Sequence, residues 1–216
     1  MKKKQKIQIA IDSPAAAGAG TQAKLLADHY NLLYLDTGKI YRFIGNLKTQ
    51  NKNFDYRMIK NKIKKLKIKN LNDKKLLSDK IAVEASIVAK DKKIRKIVHN
   101  FQIKCANNPP KKFNGSILDG RDITSVIMKN AKFKFFITAN LKTRALRRFK
   151  ELKSLKKDIS YKEVLKSIKN RDKSDYNRKI SPLKKTSDSI LINTTNLSKR
   201  ACFLKIKKII DRKLDN

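Results

Sequence analysis

Acidic side chains are scarce in this chain: 18 Asp and Glu stand against 55 Lys and Arg in 216 residues, for a formal charge of +37. Such an excess raises a nucleic-acid partner, because dense positive charge displaces counterions from a phosphate backbone. Only eleven of the 55 cations are arginine, however, and the lysines are spread along the whole chain among abundant Ile and Asn. That distribution reads equally as a compositional bias. The few arginines are then the informative cations, since a fork of donors suits phosphate better than a point charge. Cysteine is rarer still. Cys105 and Cys202 are far apart, which excludes a disulfide framework and any cysteine-based metal or redox spacing, and points to reduced thiols in a cytoplasmic protein. His29 and His99 are isolated and read as structural or solvated. No apolar run approaches the roughly 20 residues that span a bilayer. The basic opening leads into only a short apolar segment that ends at Asp12, too short for a secretion signal.

What is present is enough for a folded domain. Forty per cent of the residues are apolar, and the length suits one domain with small insertions. "IQIAI" (7–11) reads as a buried strand, "TQAKLLADHY" (21–30) as a helix, "LLYLD" (32–36) as a second strand and "TGKIYRFIGNLK" (37–48) as another helix. This alternation predicts a parallel sheet. Residues 51–80 turn Lys- and Asn-rich with thin apolar periodicity, as a peripheral insert would. Helical patterns at 80–90 and 91–106 follow, broken by "NNPP". "SILDG" (116–120), "KFFITA" (134–139) and "SILINTT" (189–195) read as further strands, 141–178 as a long arginine-bearing helical region, and 197–214 as a closing helix.

Ligands of an open parallel sheet bind beyond the carboxyl ends of its strands, and polar residues collect there: Asp12 and Ser13, Asp36 and Thr37, and the run Asp119 to Asp122. The small-residue loop of Ser13, Pro14, Ala15, Ala16, Ala17, Gly18, Ala19, Gly20 and Thr21 would offer backbone N–H groups to a phosphate, aided by the positive end of the next helix. Thr21 would offer a hydroxyl to a magnesium ion. The motif GxxxxGK(S/T) requires a lysine that this loop lacks, and a plain strand-to-helix turn is the competing reading. "LDGRD" (118–122) sets an arginine between two carboxylates, which a structural ion pair would also explain. Arg144 and Arg148 are four apart on one helical face with Arg147 beside them, a phosphate clamp or a solvated face. Arg171, Asp175 and Arg178 fall at helical contact spacing, so that each arginine could be aimed by the acid between them. Two arginine clusters facing a phosphate loop suit phosphoryl transfer, where the protein's part is positioning and charge stabilisation.

These residues together resemble the bacterial cytidylate kinases, nucleoside-monophosphate kinases with a phosphate-binding loop. "IAIDSPAAAGAGTQAK" is similar to that family's IAIDGP…GKGT…AK opening, "LLYLDTGKIYR" to its L-D-(S/T)-G-x-x-Y-R segment, "LDGRD" with "FKFFITANLKTRALRR" to its GRD and lid region, and "RDKSDYNRKISPL" to its R-D-x-x-D-x-N-R-x-x-(A/S)-P-L tail. The resemblance implies an α/β fold: a three-layer architecture with a five-stranded parallel sheet and helices on both faces. Its core would be 1–37, 107–140 and 179–216, with an acceptor-binding insert near 38–106 and a lid near 141–178. It implies ATP as co-substrate with Mg2+, CMP and dCMP as acceptors, a monomer, and neither nucleic acid nor membrane as partner. By the same resemblance Thr37 and Arg42 hold the acceptor nucleotide and its phosphate. Ser86, Arg95 and Asp122 read the cytosine, and Arg121 belongs to the same loop. Arg147 and Arg148 face the donor phosphates, while Arg171, Asp175 and Arg178 reach acceptor phosphate and sugar. The chain departs from the family at Ser13, where glycine is usual, and at Ala19, where the loop lysine stands. Lys39, in "DTGKIYR", is a candidate to supply the missing ammonium. A catalytically weak nucleotide-binding relative is the alternative that Ala19 raises.

Overall fold

A computed structural model describes residues 6–215. Five parallel strands form one sheet: β1 (Ile7–Asp12), β2 (Leu32–Asp36), β3 (Gly115–Gly120), β4 (Phe133–Thr138) and β5 (Ile190–Asn193), in the order β2-β3-β1-β4-β5. Every neighbouring pair is parallel. Strands covered on both faces need no polar alternation. Hence "FKFFIT" keeps five of six residues buried, and even Lys134 has its chain buried while its ammonium meets Asp188 at 2.5 Å.

Helices α1 (Ala19–Tyr30) and α8 (Lys199–Leu214) cover one face of the sheet. Leu26 and Ala23 of α1 pack with Ile206 and Ile210 of α8 over Ile9, Ile11 and Phe135. The other face lies under α2 (Thr37–Gln50) and α5 (Lys92–Asn107), with α3 (Tyr56–Lys64) and α4 (Asp79–Val88) outside them. Here Ile40, Ile44, Ile94 and Val98 meet Ala10 and Leu118. Residues 51–80, expected to be thinly patterned, contain α3, capped by Asp55 accepting from Met58 N at 2.6 Å, and two short 3₁₀ segments, Ile68–Asn72 and Lys74–Leu77.

The region 141–178 is two helices, not one. α6 (Leu141–Ser154) ends before a turn in which Lys156 takes φ 55°, and α7 (Tyr161–Asn177) restarts on a reciprocal cap between Ser160 and Glu163. The two helices pack through Ala145, Leu152, Val164 and Ile168, and Ala15 from the loop after β1 completes that cluster.

The strand order determines where chemistry can sit. β3 lies between β1 and β2, and the register opposes Asp12 to Gly120 and Asp36 to Asp119. Three strand ends therefore bring the small-residue loop, the start of α2 and the "DGRD" turn side by side.

Candidate active site

On the side of the small-residue loop, the chain leaves β1 and turns through two left-handed residues, Ala16 at φ 58° and Gly18 at φ 93°. Glycine adopts this conformation freely, whereas Ala16 does so at a cost of about 1 to 2 kcal/mol. Gly18 caps α1, whose first amides have no acceptor inside the helix and line the loop. Ser13 is buried and its N–H donates to Gly120 O at 3.2 Å, tying the loop to the turn after β3. Pro14 and Ala17 are buried, the Thr21 side chain is exposed at the mouth, and Ala19 packs into the core at 4 % exposure.

The floor is acidic. Asp12, fully buried, accepts from Ile123 N at 2.7 Å, Thr124 N at 2.9 Å and Thr124 Oγ1 at 2.6 Å. Burial nevertheless pushes its pKa up to about 6. These bonds fold 123–127 into a single π-helical turn that sequence periodicity does not reveal. Asp119 is held well above the usual carboxylate range by burial and by Asp36 beside it, and its Oδ1 has no hydrogen-bond donor among the described residues.

The arginines gather on the other side of the cleft. Arg121 Nε donates to Asp175 Oδ2 at 2.7 Å. The acid of α7 thus aims an arginine 54 residues away, a partner that helical spacing, which offers Arg171 and Arg178, does not include. Arg178 lies 3.6 Å from Asp175 and 4.0 Å from Asp122, and donates through Nε to Ser181 O at 2.7 Å. Arg171 has its Nε shut away from water with no hydrogen-bond partner among the described residues. Burial and the neighbouring Arg121 push its pKa down to about 10, with Arg42 adding to the effect. Arg178 is likewise pushed down, by burial and by Arg95. Two crowded arginines whose charge is disfavoured, Arg171 and Arg178, beside Arg121 and a nitrogen with no acceptor among the described residues, describe a cradle for an anion.

Next to this cradle Arg95 pairs with Asp122 and lies over the Tyr41 ring, its guanidinium carbon 5.5 Å from the centroid. Thr37 Oγ1 donates to Asp119 O at 2.9 Å, and Arg42 Nη1 to Leu76 O at 2.8 Å, which ties α2 to the insert. Ser86, on α4, spends its hydroxyl on Ala82 O of its own helix. Gly120 is essential to this packing because a Cβ there would stand 2.4 Å from Thr37 Oγ1 and 2.9 Å from Ile123 Cδ1. Gly120→Ala is expected to displace Thr37 and raise KM for the acceptor about tenfold, with a smaller effect on KM for the donor. Steady-state kinetics with each substrate varied in turn checks this.

Three expected placements differ. Arg147 does not point at the loop amides: it donates to Thr194 Oγ1 at 2.9 Å and Thr194 O at 2.6 Å, and Thr194 in turn donates to Ala17 O at 3.1 Å. Arg148 pairs with Glu151 of its own helix at 3.0 Å. Lys39 Nζ donates to Asn72 Oδ1 at 3.2 Å, so its ammonium is engaged with the insert and not with the loop. The sequence reading also passed over Asp172 and Thr194. Asp172 stands inside the "NRDKSDYNR" stretch beside Arg171, and its contacts with Ala15 and Arg144 separate it from the other acid there.

A family model described as cytidylate kinase matches residues 9–212. A cytidylate kinase of Thermosipho melanesiensis is 38 % identical over 216 residues, covering 95 % of this chain and 97 % of the relative. One from Fusobacterium nucleatum is 42 % identical over 204 residues, covering 89 % and 91 %. Among solved structures, an uncharacterized protein from Eubacterium ventriosum superposes with TM-score 0.57 at 20 % identity, over 95 % of this chain and 99 % of the other. TT1252 from Thermus thermophilus gives TM-score 0.51 at 15 % identity, over 98 % and 99 %. These two likenesses concern the fold. With a family match over nearly its full length, and with an amide-lined loop facing an arginine cradle across the strand ends, the chain belongs to the cytidylate kinase family.

Proposed function

We propose that this protein transfers the terminal phosphoryl group of ATP to CMP or dCMP. A phosphate oxygen of the acceptor attacks the terminal phosphorus, the bond to the bridging oxygen breaks, and ADP and CDP or dCDP leave. No side chain needs to act as nucleophile, so the protein's work is charge stabilisation and alignment. The observation that carries the reading is the buried Nε of Arg171, without a hydrogen-bond partner among the described residues and under the electrostatic influence of Arg121 and Arg42.

Each side of the cleft supports one substrate. The amides at the start of α1 receive the donor phosphates. Arg42, Arg121 and Arg171 receive the acceptor phosphate, and Asp175 holds Arg121 in place. Asp122, flanked by Arg95 and Arg178, accepts from the exocyclic amino group of cytosine, while the guanidinium groups donate to its ring acceptors. Uracil offers a carbonyl where cytosine offers that amino group, leaving Asp122 facing an acceptor.

The donor set suits a magnesium ion. Thr21 presents a hydroxyl, Asp119 a buried carboxylate oxygen without a donor among the described residues, and Asp36 a second carboxylate paired with it in register. Magnesium takes one or two carboxylates together with substrate phosphates. When bound, such an ion neutralises charge on the transferred group. No helix among the described residues is long and apolar enough to cross a membrane.

The test is ADP formation from ATP with CMP, dCMP, UMP and AMP in parallel, with Mg2+ and with a chelator. Turnover of CMP and dCMP with UMP and AMP at least about a hundredfold poorer is expected. Turnover of none of the four by folded protein would overturn the reading.

A further inference from the structure

Two adjacent residues of α7 carry opposite charges to opposite sides. Arg171 turns to the acceptor arginines, while Asp172, 9 % exposed, turns to the loop after β1. Asp172 Oδ1 accepts from Ala15 N–H at 3.1 Å, and Arg144 Nη1 of α6 donates to Ala15 O at 2.8 Å. The carboxylate and guanidinium close the circuit at 2.6 Å. Arg144 Nε is fixed in turn to Ala139 O, just past β4, at 2.9 Å. Both backbone groups of a single loop residue are thus gripped by the two lid helices, and its methyl group sits in their apolar cluster.

We propose that the Arg144–Asp172 pair is a positioning device: it imposes the curvature of the phosphate loop and holds that loop at a fixed distance from the acceptor arginines. The inference rests on the kinase reading above. The residue after Ala15 is Ala16, at φ 58°, a conformation that a non-glycine residue keeps only where its surroundings over-determine it. The bracket on Ala15 supplies that constraint from the preceding residue, and Gly18 completes the turn without strain. One helical step joins the bracket to the acceptor side, because Arg171 and Asp172 are neighbours in α7. The register of that helix therefore measures the gap between donor loop and acceptor cradle. Neither Arg144 nor Asp172 touches substrate in this arrangement. A buried ion pair serving only to staple the lid would be replaceable by well-packed apolar residues without penalty. A pair that shapes the loop cannot be replaced in that way.

The test compares ADP and CMP affinities, by calorimetry, for wild type, Asp172→Asn, Ala16→Gly and the double variant. Asparagine keeps an acceptor for the Ala15 amide but removes the charge that holds Arg144. In Asp172→Asn, ADP binding is expected to weaken about tenfold, the low end for a lost charged hydrogen bond, with CMP within about twofold. In the Ala16→Gly background, where the strain is gone, the ADP loss shrinks to about threefold or less. Equal weakening of both nucleotides, an unchanged ADP affinity, or the same ADP loss with Gly at 16 would overturn the proposal. Should Asp172→Asn fail to fold, Arg144→Lys keeps the charge but loses the fork, and the same selective loss is expected. Wild-type protein that binds ADP and CMP yet passes no phosphate sinks the kinase reading and leaves this comparison valid; wild-type protein that binds no ADP sinks both.

Discussion

Replacing Arg171 with Met lowers kcat/KM for CMP by about two to three orders of magnitude, the usual effect of removing one preorganised charge that meets a transferring phosphoryl group. The same substitution leaves the protein as stable as before, or more stable by roughly 1 kcal/mol. The two halves of this expectation have one cause. Arg171 carries its charge in the folded protein against burial and against Arg121 and Arg42, which is why its pKa is pushed down to about 10, and its Nε has no acceptor among the described residues. At neutral pH that charge costs stability. The sign is consistent: a cation with a lowered folded pKa binds fewer protons than in the unfolded chain, so stability rises with pH between the folded and unfolded values. Methionine fills similar space without charge. Urea unfolding and acceptor kinetics on one preparation check both halves. A variant that loses activity together with stability would make Arg171 a structural residue. An unchanged kcat/KM would move the acceptor phosphate elsewhere.

The contrast between Arg171 and Arg144 shows how far the sequence could be read. Both lie in arginine-rich helical stretches, and spacing tells which residues share a face, not what that face meets. Strand ends were legible because an apolar run terminating in an acid or small residue has few readings in a parallel sheet. The loop at 13–21, the aspartates 12, 36, 119 and 122, and Thr37 were therefore located together from the sequence. The pairing of Asp175 with Arg121 was not legible, because Arg121 is 54 residues away and reaches it only when β3 and the end of α7 have both been placed. Spacing offers Arg171 and Arg178 on either side, and of these Arg178 does lie 3.6 Å from Asp175. The break between α6 and α7 did have a local signal: "SYKE" at 160–163 is a reciprocal helix cap, and it marks where α7 begins. The positive φ of Ala16 had none, since alanine is an unfavourable residue for that conformation and is held there by contacts from 144 and 172.

Restoring the loop ammonium by Ala19→Lys is expected to raise kcat about a hundredfold or more, leaving KM for CMP nearly unchanged. The magnitude is that of one preorganised charge stabiliser, and the site is prepared for it: residue 19 opens α1 directly after the left-handed Gly18, where the helix amides converge. Ala19 is buried, but a lysine can lay its methylenes along apolar surface and carry the ammonium out to the mouth of the loop. Lys39 is the residue against which this must be measured. Its Nζ is bonded to Asn72, a contact between α2 and the insert, so Lys39→Ala is expected to change kcat by less than about threefold. The two substitutions are informative in combination. If Lys39 leaves Asn72 and serves the donor phosphates during turnover, Lys39→Ala slows the native enzyme about a hundredfold and has no effect in the Ala19→Lys background. If both single substitutions are silent, the amides of α1 and the arginines of the cleft already neutralise the transferring phosphate. The pair of rate ratios thus separates a missing charge, a relocated charge and a charge made redundant by the surrounding cations.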